Sequence, residues 1–168
     1  MDKNLNFAFV WNKATEELKK SVVEFWLKEG AITSEEDATK RAEELLAVCR
    51  SNNQIVGVAT GVKTMHPALR NNFIVYRSYV TEKHRQEGVA SSLYNLVYDS
   101  LNKDKNFEKH DIIGLLCAFE NAHLNLNKQA VWSKNRNLTF IGFDHRGVQV
   151  RVSYFDEAEI KLPPVKDQ

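Results

Sequence analysis

Apolar and polar residues alternate at Phe7, Phe9 and Trp11, and this period of two predicts a first strand with one buried face over Asn4 to Trp11. The spacing then changes. Ala14, Leu18, Val22, Phe25 and Trp26 recur at helical intervals, and Gly30 is placed to end the helix they predict. Thr33-Ser34-Glu35-Glu36 reads as a capping box for a second helix that carries Ala38, Ala42, Leu45 and Leu46 on one face, with Glu36 and Lys40 as an i,i+4 pair. The turn-forming residues Ser51-Asn52-Asn53 separate Leu46-Ala47-Val48-Cys49 from Ile55-Val56-Gly57-Val58-Ala59, which predicts a hairpin.

Pro67 and the pair Asn71-Asn72 make Met65 to Asn72 a connection into a strand-like run from Phe73 to Val80. Beyond the loop that follows, Val89, Leu93, Val97 and Leu101 recur every four residues and mark a third helix. The short, continuously apolar segment Ile112 to Phe119 has the pattern of a central strand covered on both faces. Leu126 to Lys134 is expected to form a short helix. Leu138 to Asp144 and Val148 to Phe155 are expected to form a hairpin about His145-Arg146-Gly147. The order is strand, two helices, three strands, helix, strand, helix, two strands, which is a mixed α/β sheet with helices against it.

With 168 residues the chain is of a length for one well-packed domain, expected over residues 1–160, with a frayed tail over 161–168. No run approaches the roughly 18 apolar residues of a membrane span, and the N-terminus lacks a signal-peptide pattern, so a soluble, cytoplasmic protein that engages no membrane is expected. A net charge of +1 from interspersed residues of both signs gives no footprint for nucleic acid. Cys49 and Cys117 lie far apart within apolar runs and read as buried free thiols. The five histidines show no ligand spacing, so no metal is expected. Neither a Gly-x-x-x-x-Gly-Lys-Ser/Thr loop, a Gly-x-Gly-x-x-Gly loop nor a Gly-x-Ser-x-Gly elbow occurs, which argues against nucleotide hydrolysis, dinucleotide binding and hydrolase chemistry.

The chemistry concentrates between Phe73 and Leu101. There a strand leads through Thr81-Glu82-Lys83-His84 into Arg85-Gln86-Glu87-Gly88-Val89-Ala90 and a helix. The first amides of a helix have no intrahelical partner and stand at the positive end of the peptide dipoles, so such a loop takes an anion, and small residues at Gly88 and Ala90 let a phosphate approach the backbone.

With this loop, the element order resembles the GCN5-related N-acetyltransferase (GNAT) superfamily along nearly the whole chain. The loop pattern of that family is present as Arg85, Gly88 and Ala90, with Val80 five residues before Arg85. Gly142-Phe143 before the last hairpin and Asn127-x-x-Ala130 resemble its later motifs. The resemblance implies a central, mostly antiparallel sheet of about seven strands with helices on both faces. It also implies acetyl-CoA as acyl donor, with its pyrophosphate on the backbone of Gln86, Glu87, Gly88, Val89, Ala90 and Ser91, bordered by Arg85. Tyr79 and Val80 would pair with the pantetheine arm, and Asn127 would contribute to the cofactor site.

Attack of an amine on a thioester requires a base to take its proton, because an unperturbed lysine-like amine has a pKa of about 10.4. By the resemblance, the backbone N–H at Val80 polarises the thioester carbonyl. No carboxylate occurs from Phe73 to Val80, so a relayed base is expected, with Glu120 first, then His123 and Glu82. The family's usual acid is a Tyr before Gly-Phe, yet Asn121 to Phe143 holds none; Trp132 and Ser133 occupy that region, Trp132 read as core packing. The acceptor is expected to be a primary amine of a small molecule or peptide, walled by the first two helices, the loop Gly30-Ala31-Ile32 and the last hairpin. The alternative is a CoA-binding or interaction domain of the same fold that has lost catalysis. A monomer or homodimer is expected.

Overall fold

Strand β1 (Leu5–Phe9) and helix α1 (Glu16–Glu29) form where the period of two gives way to helical spacing. Thr15 caps α1, its Oγ1 accepting from Leu18 N at 3.2 Å, and Gly30 ends it in the left-handed conformation at φ +65°. In α2 (Glu35–Ala42) the cap is Ser34, one residue beyond Thr33, with its Oγ accepting from Asp37 N at 3.2 Å. That helix stops at Ala42, so Leu45 and Leu46 do not belong to its apolar face as the periodicity suggests. They open β2 (Leu45–Ser51), in which Leu45 through Cys49 are all buried. Five uninterrupted apolar residues can cover both faces of a central strand, and that burial outweighs a helical register. Asn52 and Asn53, at φ 49° and 66°, turn the chain into β3 (Gln54–Met65).

The structure, a computed structural model, describes residues 4–118, 120, 130–133 and 137–161. After β4 (Asn72–Val80) come a 3₁₀ helix (Glu82–Glu87), α3 (Val89–Asn102), a short α4 (Asn106–Lys109), β5 (Gly114–Ala118), β6 (Trp132–Ser133), β7 (Leu138–Phe143) and β8 (Gln149–Tyr154). The strands form one mixed sheet in the order β1-β2-β3-β4-β5-β8-β7-β6. β4 and β5 are parallel from Ile74 against Leu115 to Tyr76 against Cys117. The β1–β2, β2–β3, β5–β8, β7–β8 and β6–β7 ladders are antiparallel. The mostly antiparallel sheet expected is therefore present, with one strand beyond the expected seven. That strand, β6, corrects the short helix expected to reach Lys134: Trp132 and Ser133 pair with Thr139 and Leu138. Leu126 to Gln129 and the tail beyond Lys161 lie outside the described residues.

Two compact units share β3 and β4: Met1–Gly61 with Arg77–Ser100, and Val62–Tyr76 with Leu101–Gln168. In the first, α1 and α2 pack Val22, Phe25, Trp26, Ala38 and Ala42 onto Leu45, Val48 and Val58. The neighbouring position, Gly57, points to the opposite face and meets Val89 and Leu93 of α3, so this part of the sheet carries helices on both faces. In the second unit, Phe73, Ile113, Leu116 and Val152 form a core flanked by Val75, Ile141 and Val150. There, Asp111 accepts from Lys63 Nζ at 3.0 Å and Asn72 Nδ2 at 2.7 Å and pairs with Lys161.

Candidate functional site

The end of β4 is fixed by close packing at a glycine. A Cβ at Gly57 would come within 2.9 Å of Val89 Cγ1, 3.1 Å of Leu93 Cδ1 and 3.5 Å of Val80 Cγ2. The missing side chain thus lets the first turn of α3 lie directly on β3. One residue beyond Val80, Thr81 N donates to Val56 O at 2.9 Å and ties the loop to the same strand.

Side chains of the 3₁₀ helix brace the turn. Thr81 Oγ1 and His84 Nδ1 share a hydrogen bond of 2.8 Å, and His84 Nε2 lies 3.9 Å from Glu87 Oε2. Arg85 Nε donates to Val80 O at 3.2 Å, and its guanidinium carbon stands 5.9 Å from the centre of the Tyr79 ring. Tyr79 in turn meets Phe25 edge-on at 5.9 Å. Glu87 is exposed, its side chain 29% accessible. Its charge adds to burial, the larger cause, in pushing the Cys49 thiol up to about 11. Cys49 and Cys117 are both buried, and neither forms a disulfide.

At Gly88 the backbone turns to φ +75°, and Ser92 N donates to Gly88 O at 2.9 Å, the bond that opens the α-helical ladder of α3. The amides ahead of that bond belong to the helix end and its positive pole. Val89 is buried and anchors the turn, whereas Gln86, Gly88 and Ala90 are exposed. A Cβ built at Gly88 meets nothing within 4 Å, so the glycine faces open space over the helix start. An exposed glycine at the start of a 14-residue helix, with open space where a side chain would stand, lets an anion approach the helix amides, and these residues fit a pyrophosphate.

The other residues singled out by sequence fall elsewhere. Glu120 is exposed just past β5, with Oε1 accepting from Arg146 Nη1 at 2.7 Å. Arg146 also grips Asp144 at 2.7 and 2.9 Å, and these carboxylates, Asp144 first, hold the guanidinium above its usual range. Glu82 is exposed on the 3₁₀ helix. Asn127 and His123 lie outside the described residues. Phe25 and Trp26 belong to the core of the first unit, but Trp132 is 52% exposed rather than packed inside. Sequence reasoning missed the Thr81–His84–Glu87 bracing and the Arg146 partner of Glu120. The first was detectable as Thr-x-x-His-x-x-Glu, the spacing of one 3₁₀ face; the second joins residues 26 apart and has no local signal. Among the described residues no group of three His, Cys, Asp or Glu side chains could hold a metal ion, and no helix is long and apolar enough to cross a membrane.

The family model described as Acetyltransferase (GNAT) family matches residues 11–128. The chain belongs to this family. No curated protein matches the sequence. Among solved structures, an acetyltransferase of GNAT family from Streptococcus pneumoniae aligns with a TM-score of 0.60 at 12% identity, over 91% of this chain and 100% of that one. The acetyl transferase from Salmonella typhimurium that modifies the N-terminal serine of ribosomal protein L7/L12 gives 0.59 at 14% identity, over 93% and 97%. A putative acetyltransferase from Salmonella typhimurium with its cofactor acetyl-CoA gives 0.55 at 14% identity, over 94% and 98%. At these identities the likeness is one of fold. Within the GNAT fold, Arg85, Gly88 and Ala90 hold the loop between β4 and α3.

Proposed function

We propose that this protein transfers the acetyl group of acetyl-CoA to a primary amine of a small molecule or peptide, with residues 1–160 working as one catalytic domain. The observation that carries the reading is the cradle at Gly88, exposed, at positive φ and free of any neighbour at the Cβ position. Membership of the GNAT family supports the donor, as does the acetyl-CoA cofactor of the similar Salmonella typhimurium structure.

Acetyl-CoA, when bound, supplies the acyl group as a thioester. The amides of Gln86 to Ser91 bind its pyrophosphate. Arg85 borders it while its Nε holds the Val80 carbonyl, so the loop and the end of β4 are positioned as a unit. The backbone of Tyr79 and Val80 would hold the pantetheine arm, and Val80 N–H would be the donor that polarises the thioester carbonyl. The proton of the attacking amine leaves through water, and CoA departs as the thiolate, which takes up a proton from solvent.

The test combines calorimetric titration of CoA with thiol release from acetyl-CoA across a panel of amines. Gly88→Val places a branched side chain in the open cradle at a left-handed position and is expected to abolish CoA binding, while the thermal midpoint shows that the domain stays folded. Unchanged affinity in that variant sinks the loop assignment. CoA binding with no thiol release on any amine, as the absence of Tyr from Asn121 to Phe143 would allow, selects a CoA-binding module over an enzyme.

A further inference from the structure

Wholly within the first unit, a cleft of about 660 Å³ opens between the second half of α1, the β2–β3 hairpin and the residues that follow β4. Phe25, Ile55 and Val56 give it apolar surface. Val56 O accepts from Thr81 N, the residue next to Val80, so the cleft reaches the end of β4 where the thioester is placed above.

Six charged side chains line this cleft: Glu24, Lys28 and Glu29 from α1, Arg50 from β2, and Glu82 and Lys83 from the 3₁₀ helix. Three are acidic and three basic. Among the described residues none of the six makes a side-chain hydrogen bond or ion pair, although Glu24 and Lys28 are four apart on one helix. The same surface pairs its charges elsewhere: Lys19 takes both Glu16 and Glu43, and Lys40 takes Glu36. His84, which also lines the cleft, is held by Thr81 and faces Glu87.

Unpaired charges of both signs around a partly apolar cleft suit a ligand that carries both signs itself. Resting on the acetyltransferase reading above, we infer that the acceptor is an amine that also bears a carboxylate, an amino acid or short peptide. The carboxylates of Glu24, Glu29 and Glu82 attract its ammonium. The planar fork of Arg50 suits its carboxylate, with Lys28 and Lys83 adding positive charge. Polycationic acceptors such as polyamines can pair the three carboxylates but leave Arg50, Lys28 and Lys83 without an anionic partner, and so are disfavoured against a ligand that carries both signs.

The test is calorimetric titration, with CoA present, of free amino acids and dipeptides, each against its decarboxylated or amidated counterpart, with spermidine as the polycation. At least one carboxylated amine is expected to bind saturably and about tenfold tighter than its uncharged-end counterpart, and that preference is expected to vanish in Arg50→Glu and weaken in Lys28→Glu. Equal binding of the counterparts, tighter binding of spermidine, an unaltered preference in both variants, or no binding of any carboxylated amine overturns the inference. CoA affinity measured in the same samples reports separately on the acetyltransferase reading: its retention with no carboxylate preference defeats only the acceptor class.

Discussion

A single methyl group at Gly57 is expected to loosen the cofactor loop from beneath. In Gly57→Ala the new Cβ lies 2.9 Å from Val89 Cγ1 and 3.1 Å from Leu93 Cδ1, well inside the roughly 3.5–4.0 Å of a relaxed carbon–carbon contact. Leu93 can rotate away, but a valine in a helix has essentially one χ1 rotamer, so the first turn of α3 must move. Overpacking of this kind costs about 1–3 kcal/mol. Replacing glycine recovers roughly 0.5–1 kcal/mol through the unfolded chain. The net is a loss of about 1–2 kcal/mol, a fall in Tm of roughly 2–8 °C for a chain of this size. Because the displaced turn presents the amides of the cradle, CoA affinity should fall roughly three- to tenfold.

The decisive measurement is a double-mutant cycle read by urea denaturation. Val89→Ala alone removes a fully buried pair of methyls and should cost about 2 kcal/mol. In the Gly57→Ala background the same truncation relieves the clash, so its cost should drop by about 1 kcal/mol, and CoA affinity should partly recover. Additivity of the two substitutions within about 0.5 kcal/mol would refute the claim that Gly57 and Val89 together set the position of α3.

Two further outcomes follow from buried groups. Burial, and then Glu87, raise the Cys49 thiol from 9.0 to about 11, so the folded chain keeps a proton that the unfolded chain releases. The resulting stability is whole below pH 9 and is lost progressively as pH rises to 11, the loss reaching about 2 kcal/mol at pH 10.5. Cys49→Ala should lack this loss when urea midpoints are compared at pH 8 and 10.5, and equal losses in the two proteins would contradict it. Arg151, 3% exposed and held below its usual range by burial, donates to Ala130 O at 2.8 Å and to Gln149 Oε1 at 3.2 and 3.3 Å. Arg151→Met should cost roughly 2–3 kcal/mol, with faster amide hydrogen exchange at Trp132; unaltered exchange there would show that Arg151 does not secure β6.

Elements whose pattern is local were legible in the sequence. Val89, Leu93, Val97 and Leu101, spaced for α3, are all fully buried, and Gly30 ends α1. Errors arose where tertiary burial or strand pairing decided between two local readings. Leu45 and Leu46 continue the helical spacing of α2, yet the sheet buries them in β2. Trp132 follows a helix-compatible stretch, yet Thr139 takes it as a ladder partner, and the carbonyls beside it are held by Arg151, about 20 residues away.

The same distinction separates the two halves of the proposed site. The donor half depends on backbone conformation over a few consecutive residues: a glycine at φ +75°, a helix start, and an arginine reaching back five residues to Val80. Such a device leaves its mark in sequence, because only certain residues permit it. The acceptor half is assembled from Glu24, Arg50 and Lys83, on three elements far apart in the chain, whose pattern before folding is that of an ordinary solvated surface. What distinguishes them is that folding gathers opposite charges around one cleft and leaves them unpaired, a property of the assembled unit and of no segment in it. Backbone chemistry fixes the donor, so variation among the side chains of Glu24, Lys28, Arg50 and Lys83 can retune the acceptor while the Gly88 cradle stays unchanged.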